Sequence, residues 1–220
     1  MSVPDPTERL SDEYHADAAS RLRHEIALRA ARLIAEDGLD YGGAKRRAAR
    51  DLLGKQRVPG DMLPDNALIE AEVRSYQELF QSETQPARLL HLRLLALRIM
   101  EFLNDFSPFL VGAVANGTAG EHSDIHLQLY CDSAKDVEML LLNHGLDFEA
   151  DDDRSASQRH AGAIEEVLHV LWRERGHAPE GLHISVHTQE HPSATGSERR
   201  GERLSLAALR LLLKDQETIK

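Results

Sequence analysis

The segment SDIHLQLY, residues 123–130, sets a carboxylate, Asp124, and an imidazole, His126, two residues apart in a run whose intervening positions Ile125, Leu127 and Leu129 are apolar. Successive side chains of a strand point to opposite faces, so Asp124 and His126 share one face while the aliphatic residues bury the other. A carboxylate oxygen beside a neutral imidazole nitrogen is donor chemistry for a divalent metal. The ordinary alternative is that Asp124 hydrogen-bonds the preceding turn and His126 occupies a polar strand position, in a chain with 12 histidines. Gln128 and Tyr130 continue the same face and line a pocket if the site is open. Upstream, the run FLVGAVANGTAG carries Gly112, Gly117 and Gly120, with Gly117 and Gly120 readable as turn residues that tolerate positive φ.

The elements that position these residues follow from periodicity. Residues 1–18 are polar and lack apolar repeats, which reads as a disordered tail. From Ala19, Leu22, Ile26, Ala30, Leu33 and Ile34 form one helical stripe that stops at Gly38, and a second short helix spans about Gly43 to Leu53. A helix capped by Asp65 or Asn66 repeats Ile69, Val73, Tyr76 and Phe80 as its buried face. A longer helix from Ala87 to about Asp105 carries Leu89, Leu92, Leu95, Ile99 and Leu103, so residues 19–86 form a helical N-terminal region and 87–220 a second domain. There the period changes from 3.6 to 2. FLVGAVA reads as an apolar strand and DIHLQLY as a second. Ser133 caps a helix ending at Gly145, and LDFEA reads as a short strand. EVLHVLWRE suits a strand or, through Val167, Leu168, Leu171 and Trp172, a helix; the turn-like RGHAPEG and the alternation of LHISVHT favour a hairpin, and RLSLAALRLLLK reads as a closing amphipathic helix. DDDRSASQRHAG and HPSATGSERRGE read as exposed loops.

Composition narrows the function classes. At 220 residues with 41% hydrophobic content the chain supports a packed core. No apolar run reaches the roughly 18–20 residues of a membrane helix, and the first residues lack a basic start and an apolar middle, so the expected location is the cytoplasm. Cys131 is the only cysteine, which excludes an internal disulfide and a Cys-rich zinc site. A net charge of −11 disfavours a general nucleic-acid binder, with the local basic cluster KRRAAR, residues 45–50, as the exception. No G-x-x-x-x-G-K-[ST] phosphate loop, G-x-S-x-G elbow or H-E-x-x-H motif occurs.

A strand, a glycine-containing turn with a short helix, a strand beginning with an acidic residue, a helix and a later hairpin resemble the nucleotidyltransferase superfamily over roughly residues 88–190. Gly112 sits at that family's glycine, Ala113 at its serine, NGTA at the next segment, and SDIH at the start of the metal strand. The resemblance implies an α+β fold, a helical N-terminal region followed by a small mixed sheet flanked by helices. It implies nucleotide contacts at Gly112, Ala113, Asn116, Gly117 and Ser123, and a metal-binding carboxylate at Asp124. It also implies magnesium or manganese held by three carboxylates if the protein is active.

The sequence departs from that pattern at four positions. Ala113 lacks the serine hydroxyl, Asn116 replaces a basic residue, His126 replaces the second carboxylate, and the position matched to the third falls at His183, with Ser185 and His187 on its face. Asp124, His126 and His183 thus form a ligand set suited to zinc, iron or manganese more than to magnesium. The resulting expectation is a catalytically inactive binding or regulatory module, with a nucleotide or a protein as partner. The alternative is an active nucleotidyltransferase acting on protein, RNA or a small molecule through Asp124 and a further acid, Glu121 or one of residues 151–153.

Overall fold

The structure is a computed structural model that describes residues 6–54, 60–151, 164–174, 176–187 and 203–218. The chain divides into two compact units, Met1–Glu83 with Gly120–His122, and Thr84–Ala119 with Ser123–Lys220. Among the described residues no helix is long and apolar enough to cross a membrane.

The first unit is helical, with α1 over Pro6–Asp37, α2 over Tyr41–Leu53 and α3 over Asn66–Phe80. Its core is small: Ile26, Ala27, Ala30 and Ala31 of α1 meet Ala44, Ala48 and Ala49 of α2 and Ile69 and Val73 of α3. Alanine at the crossing points lets helix backbones approach closely. Side-chain caps start two of the helices, Asp40 accepting from the Gly43 N–H and Asp65 from the Leu68 N–H. Two sequence expectations differ here. Helix α1 begins at Pro6, ahead of the expected start near Ala19, and proline is well suited to a first helical position. In α3 the expected stripe does not continue to its end: Gln77 is buried beside Ile69 and Val73, whereas Phe80 is 70% exposed. The basic cluster lies on α2, where Lys45 donates to Asn66 and Arg47 pairs with Asp37.

The second unit is a six-stranded mixed sheet with its helices, an α+β fold as expected. Helix α4 spans Gln85–Phe102, β1 Phe109–Val111, α5 Gly112–Asn116, β2 Ile125–Tyr130 and α6 Ala134–Asn143. Strands β3, β4, β5 and β6 span Phe148–Asp151, Ile164–Trp172, Glu180–His187 and Arg203–Ser205, and α7 covers Leu206–Thr218. The order across the sheet is β3-β4-β5-β2-β1-β6. The β2–β5 pair is parallel and its neighbours are antiparallel. Strand alternation gives one buried face: Ile125, Leu127 and Leu129 of β2, Leu182, Ile184 and Val186 of β5 and Leu168 and Val170 of β4. They join one core with Leu92, Leu95 and Ile99 of α4, Val137 and Leu141 of α6, and Leu209 and Leu213 of α7. Burying each large aliphatic side chain stabilises by roughly 1.5–3 kcal/mol before the entropic cost of ordering it.

Two further expectations are corrected. FLVGAVA is not one strand: Gly112 takes φ +70, a conformation that ends β1, and residues 112–116 wind into α5, the short helix that the resemblance implies after the glycine turn. At the C-terminus RLS pairs with β1 as β6 before the helix begins. The hairpin reading of β4 and β5 holds, and Ser133 caps α6 by accepting from the Lys135 N–H. The expected loops DDDRSASQRHAG, beyond Asp151, and HPSATGSERRGE, up to residue 202, lie outside the described residues.

Candidate functional site

Register decides what shares the face of the sheet opposite its apolar core. His126 of β2 pairs with His183 of β5, and His183 pairs with His169 of β4. Cross-strand neighbours project from the same face with Cβ atoms about 4.5–5.5 Å apart, so the three imidazoles form one row across three strands. Their rings touch. His126 and His183 stack with centroids 4.6 Å apart and planes at 11°, and His169 meets His183 edge-on, also at 4.6 Å. Glu149 of β3, paired with His169, extends the row.

Asp124 precedes the first residue of β2, and its Oδ2 lies 2.9 Å from His183 Nε2. That hydrogen bond is the main reason the Asp124 carboxyl is held below the ordinary range; partial burial works against it, and the nearby His183, His126 and Arg88 add to it. His126 is lowered to about 4, chiefly because crowding disfavours its charged form, then by His183; Asp124 acts in the opposite sense and His169 adds a little. The residue as a whole remains exposed. Gly181, on the neighbouring strand, makes room for Asp124: a Cβ there would overlap Oδ1 and lie 2.5 Å from Cγ and 3.0 Å from Oδ2.

A cavity of about 1070 Å³ opens beside this pair. Asp124, His183, His169 and Gly181 line one side; the turn into β3, including Asp147 and Glu149, lines another, with Leu171 and Arg173 at the end of β4.

The remaining sequence candidates fall in two groups. Gly112 lies next to His126, so the α5 turn and the histidine row are neighbours: a Cβ built on Gly112 would lie 3.8 Å from that of His126. In the turn the Ala113 carbonyl accepts from the N–H groups of Gly117, Thr118 and Ala119, while Asn116 Oδ1 accepts from the Thr118 N–H and hydroxyl. The amides of Gly117, Thr118 and Ala119 are therefore spent inside the loop. Gly117 has φ +92, which confirms its role as a turn residue, and Ser123 is half-buried. Further along the same face, Tyr130 stacks on His187 at 5.0 Å, and Gln128 Oε1 and His187 Nε2 are buried without a hydrogen-bond partner among the described residues. Ser185 lies opposite Gln128. Of the alternative acids, Glu121 is exposed in the first unit and Asp151 ends β3, whereas residues 152 and 153 lie outside the described residues.

Three features escaped sequence reading. His169 joins the row, and the only sequence signal for it is its alternating place in EVLHVLW. Buried Arg93 of α4 donates to the carbonyls of Val114 and Ala115, and Gln85 donates to those of Gly117 and Ala119, so α4 clamps the α5 turn. Arg88 makes two bonds to Glu180, with His91 alongside, which ties α4 to the start of β5.

Magnesium fits this site poorly. It prefers hard oxygen ligands in octahedral geometry. Of the three strand positions Asp124 alone offers a carboxylate, and that carboxylate is engaged by His183. In the side-chain positions seen here, no three His, Cys, Asp or Glu among the described residues are set to hold one ion.

No family model matches the chain, and no curated protein matches it. Among solved structures, the structure of Cid1 in complex with the UTP analog UMPNPP is similar over 67% of this chain at 15% identity and a TM-score of 0.35. This chain spans 42% of that one, and a likeness of that extent does not assign a family.

Proposed function

We propose that this protein is a nucleotidyltransferase-like binding or regulatory module of the cytoplasm that does not perform magnesium-dependent nucleotidyl transfer. One observation carries the reading: Asp124, the single carboxylate of the expected set, is hydrogen-bonded to His183, and His183 is stacked on His126 at the second position. Two metal ions that neutralise a triphosphate need several carboxylate oxygens facing one space. Here nitrogen atoms occupy two of the three positions. The β1–α5–β2 layout, with Gly112 at the strand-to-helix junction, supports the nucleotidyltransferase-like part of the proposal. The internal bonding of the α5 turn supports the inactive part, because it leaves the loop's later amides without a free donor for phosphate.

The test is incorporation of labelled nucleotides into the protein itself, added protein or RNA, with magnesium or manganese present. The expected result is incorporation at background for wild type and Asp124→Asn alike. Incorporation by wild type that Asp124→Asn abolishes would overturn the proposal in favour of an enzyme with an altered metal site.

A further inference from the structure

We propose that His126, His169 and His183 form a three-histidine site for a transition-metal dication of the zinc or cobalt(II) class, with Asp124 as its outer-shell support. The backbone arrangement carries the proposal. Three consecutive strands place one imidazole each at the same level of the same face, through the pairings His126 with His183 and His183 with His169. Three adjacent imidazoles set nitrogen donors side by side on one face. As a donor set they match the three-histidine zinc arrangement, which leaves a fourth position open.

The hydrogen-bond pattern fits the same end. His183 Nε2 is taken by Asp124, which leaves Nδ1 as the nitrogen available to an ion. A carboxylate holding the far nitrogen of a ligating histidine is the usual outer-shell device: it fixes the tautomer and raises ligand basicity. His183 is the middle member of the row, so an ion on its Nδ1 lies between the two flanking rings. In the structure these rings stack on His183 and abut it edge-on, and so do not converge on a single ion. Convergence requires His126 and His169 to turn about their side-chain bonds into other staggered rotamers. His126 is exposed and His169 half-buried, so neither rotation opens the core. The fourth position faces the cavity of about 1070 Å³ that His169 and His183 line, where a water or a ligand atom has room.

The site is independent of the nucleotide reading: its donors include His169, which has no place in the resemblance, and its test involves no nucleotide. Full-length protein without a histidine tag, stripped by a chelator, is titrated with cobalt(II) and followed by visible absorption, and zinc is then used to displace the cobalt. The expected result is one cobalt per chain with a four- or five-coordinate spectrum. Affinity should fall at least about 100-fold in His126→Ala, His169→Ala and His183→Ala, and about 10-fold to 100-fold in Asp124→Asn. His122→Ala, an exposed histidine of the first unit, should bind as wild type does. Far-UV circular dichroism verifies that each variant is folded, and His169→Gln replaces His169→Ala if the latter is not. The proposal is overturned if cobalt uptake does not saturate at one equivalent, or if folded His169 variants bind as tightly as wild type.

Discussion

Gly181→Ala tests the idea that Asp124 owes its position to the absence of a side chain on the neighbouring strand. The added methyl would overlap Asp124 Oδ1 and sit 2.5 Å from Cγ. Gly181 does not have positive φ, so the alanine backbone itself is unstrained and the whole cost falls on Asp124. The carboxylate has to swing away from His183 Nε2, losing the 2.9 Å bond. Its side chain is 45% exposed, so solvent screening limits that pair to about 0.5–1 kcal/mol. Residual crowding of a short side chain adds a similar amount, giving about 1–2 kcal/mol in total. For a chain of this size that is a fall in Tm of about 2–8 °C. The measurement is a double-mutant cycle by thermal or denaturant unfolding. In an Asp124→Ala background the clashing carboxylate is gone, and Gly181→Ala should cost less than about 0.5 kcal/mol. An equal cost in both backgrounds would refute the reasoning and place the glycine requirement in the β5 backbone instead.

Two predictions concern other parts of the second unit. Arg93→Met, which keeps the buried aliphatic stem and removes the guanidinium, leaves the carbonyls of Val114 and Ala115 unpaired; a loss of about 2–3 kcal/mol is expected in denaturant unfolding, with accelerated amide exchange in residues 112–119. His126, lowered to about 4 in the folded chain against 6.5 unfolded, binds fewer protons when folded; stability therefore falls as pH drops from about 6.5 towards 4, and His126→Gln should lessen that fall. Imidazole NMR of the metal-free protein should show no His126 titration above pH 5, and a normal midpoint near 6.5 would contradict the crowding argument.

Several elements were legible because their signal is local. Asp65 and Ser133 cap helices through bonds to residues two or three positions away, and the period-2 runs of β2 and β5 needed no knowledge of their neighbours, whereas β4 also suits a helix and reads as a strand from the turn and strand that follow it. The burial of Ile125, Leu127 and Leu129 follows from the same alternation. Where local signals compete, sequence reading failed. GAVAN has the apolar content of a strand, and its periodicity does not separate it from β1; the short helix there is implied by the resemblance alone, and the positive φ of Gly112 starts it. Phe80 has the spacing of a core residue but lies at the end of α3, where it remains 70% exposed while Gln77 is buried.

The residue types of the candidate site were fixed by the sequence: a carboxylate at Asp124, an imidazole at His126 on the same strand face, and too few acids at the expected positions for a magnesium site. Which residues meet was decided by tertiary structure alone. Pairing β5 parallel to β2 and antiparallel to β4 brings His183 between His126 and His169, residues that are 57 and 14 positions away in the chain. A slip of one residue would have turned Leu182 or Ile184 outward in place of His183. Strand register depends on the summed burial of the opposite face, a property of the whole sheet that no single segment encodes. The same long-range packing supplied Arg93 and Gln85 to the α5 turn from a helix whose pattern announced only a buried stripe.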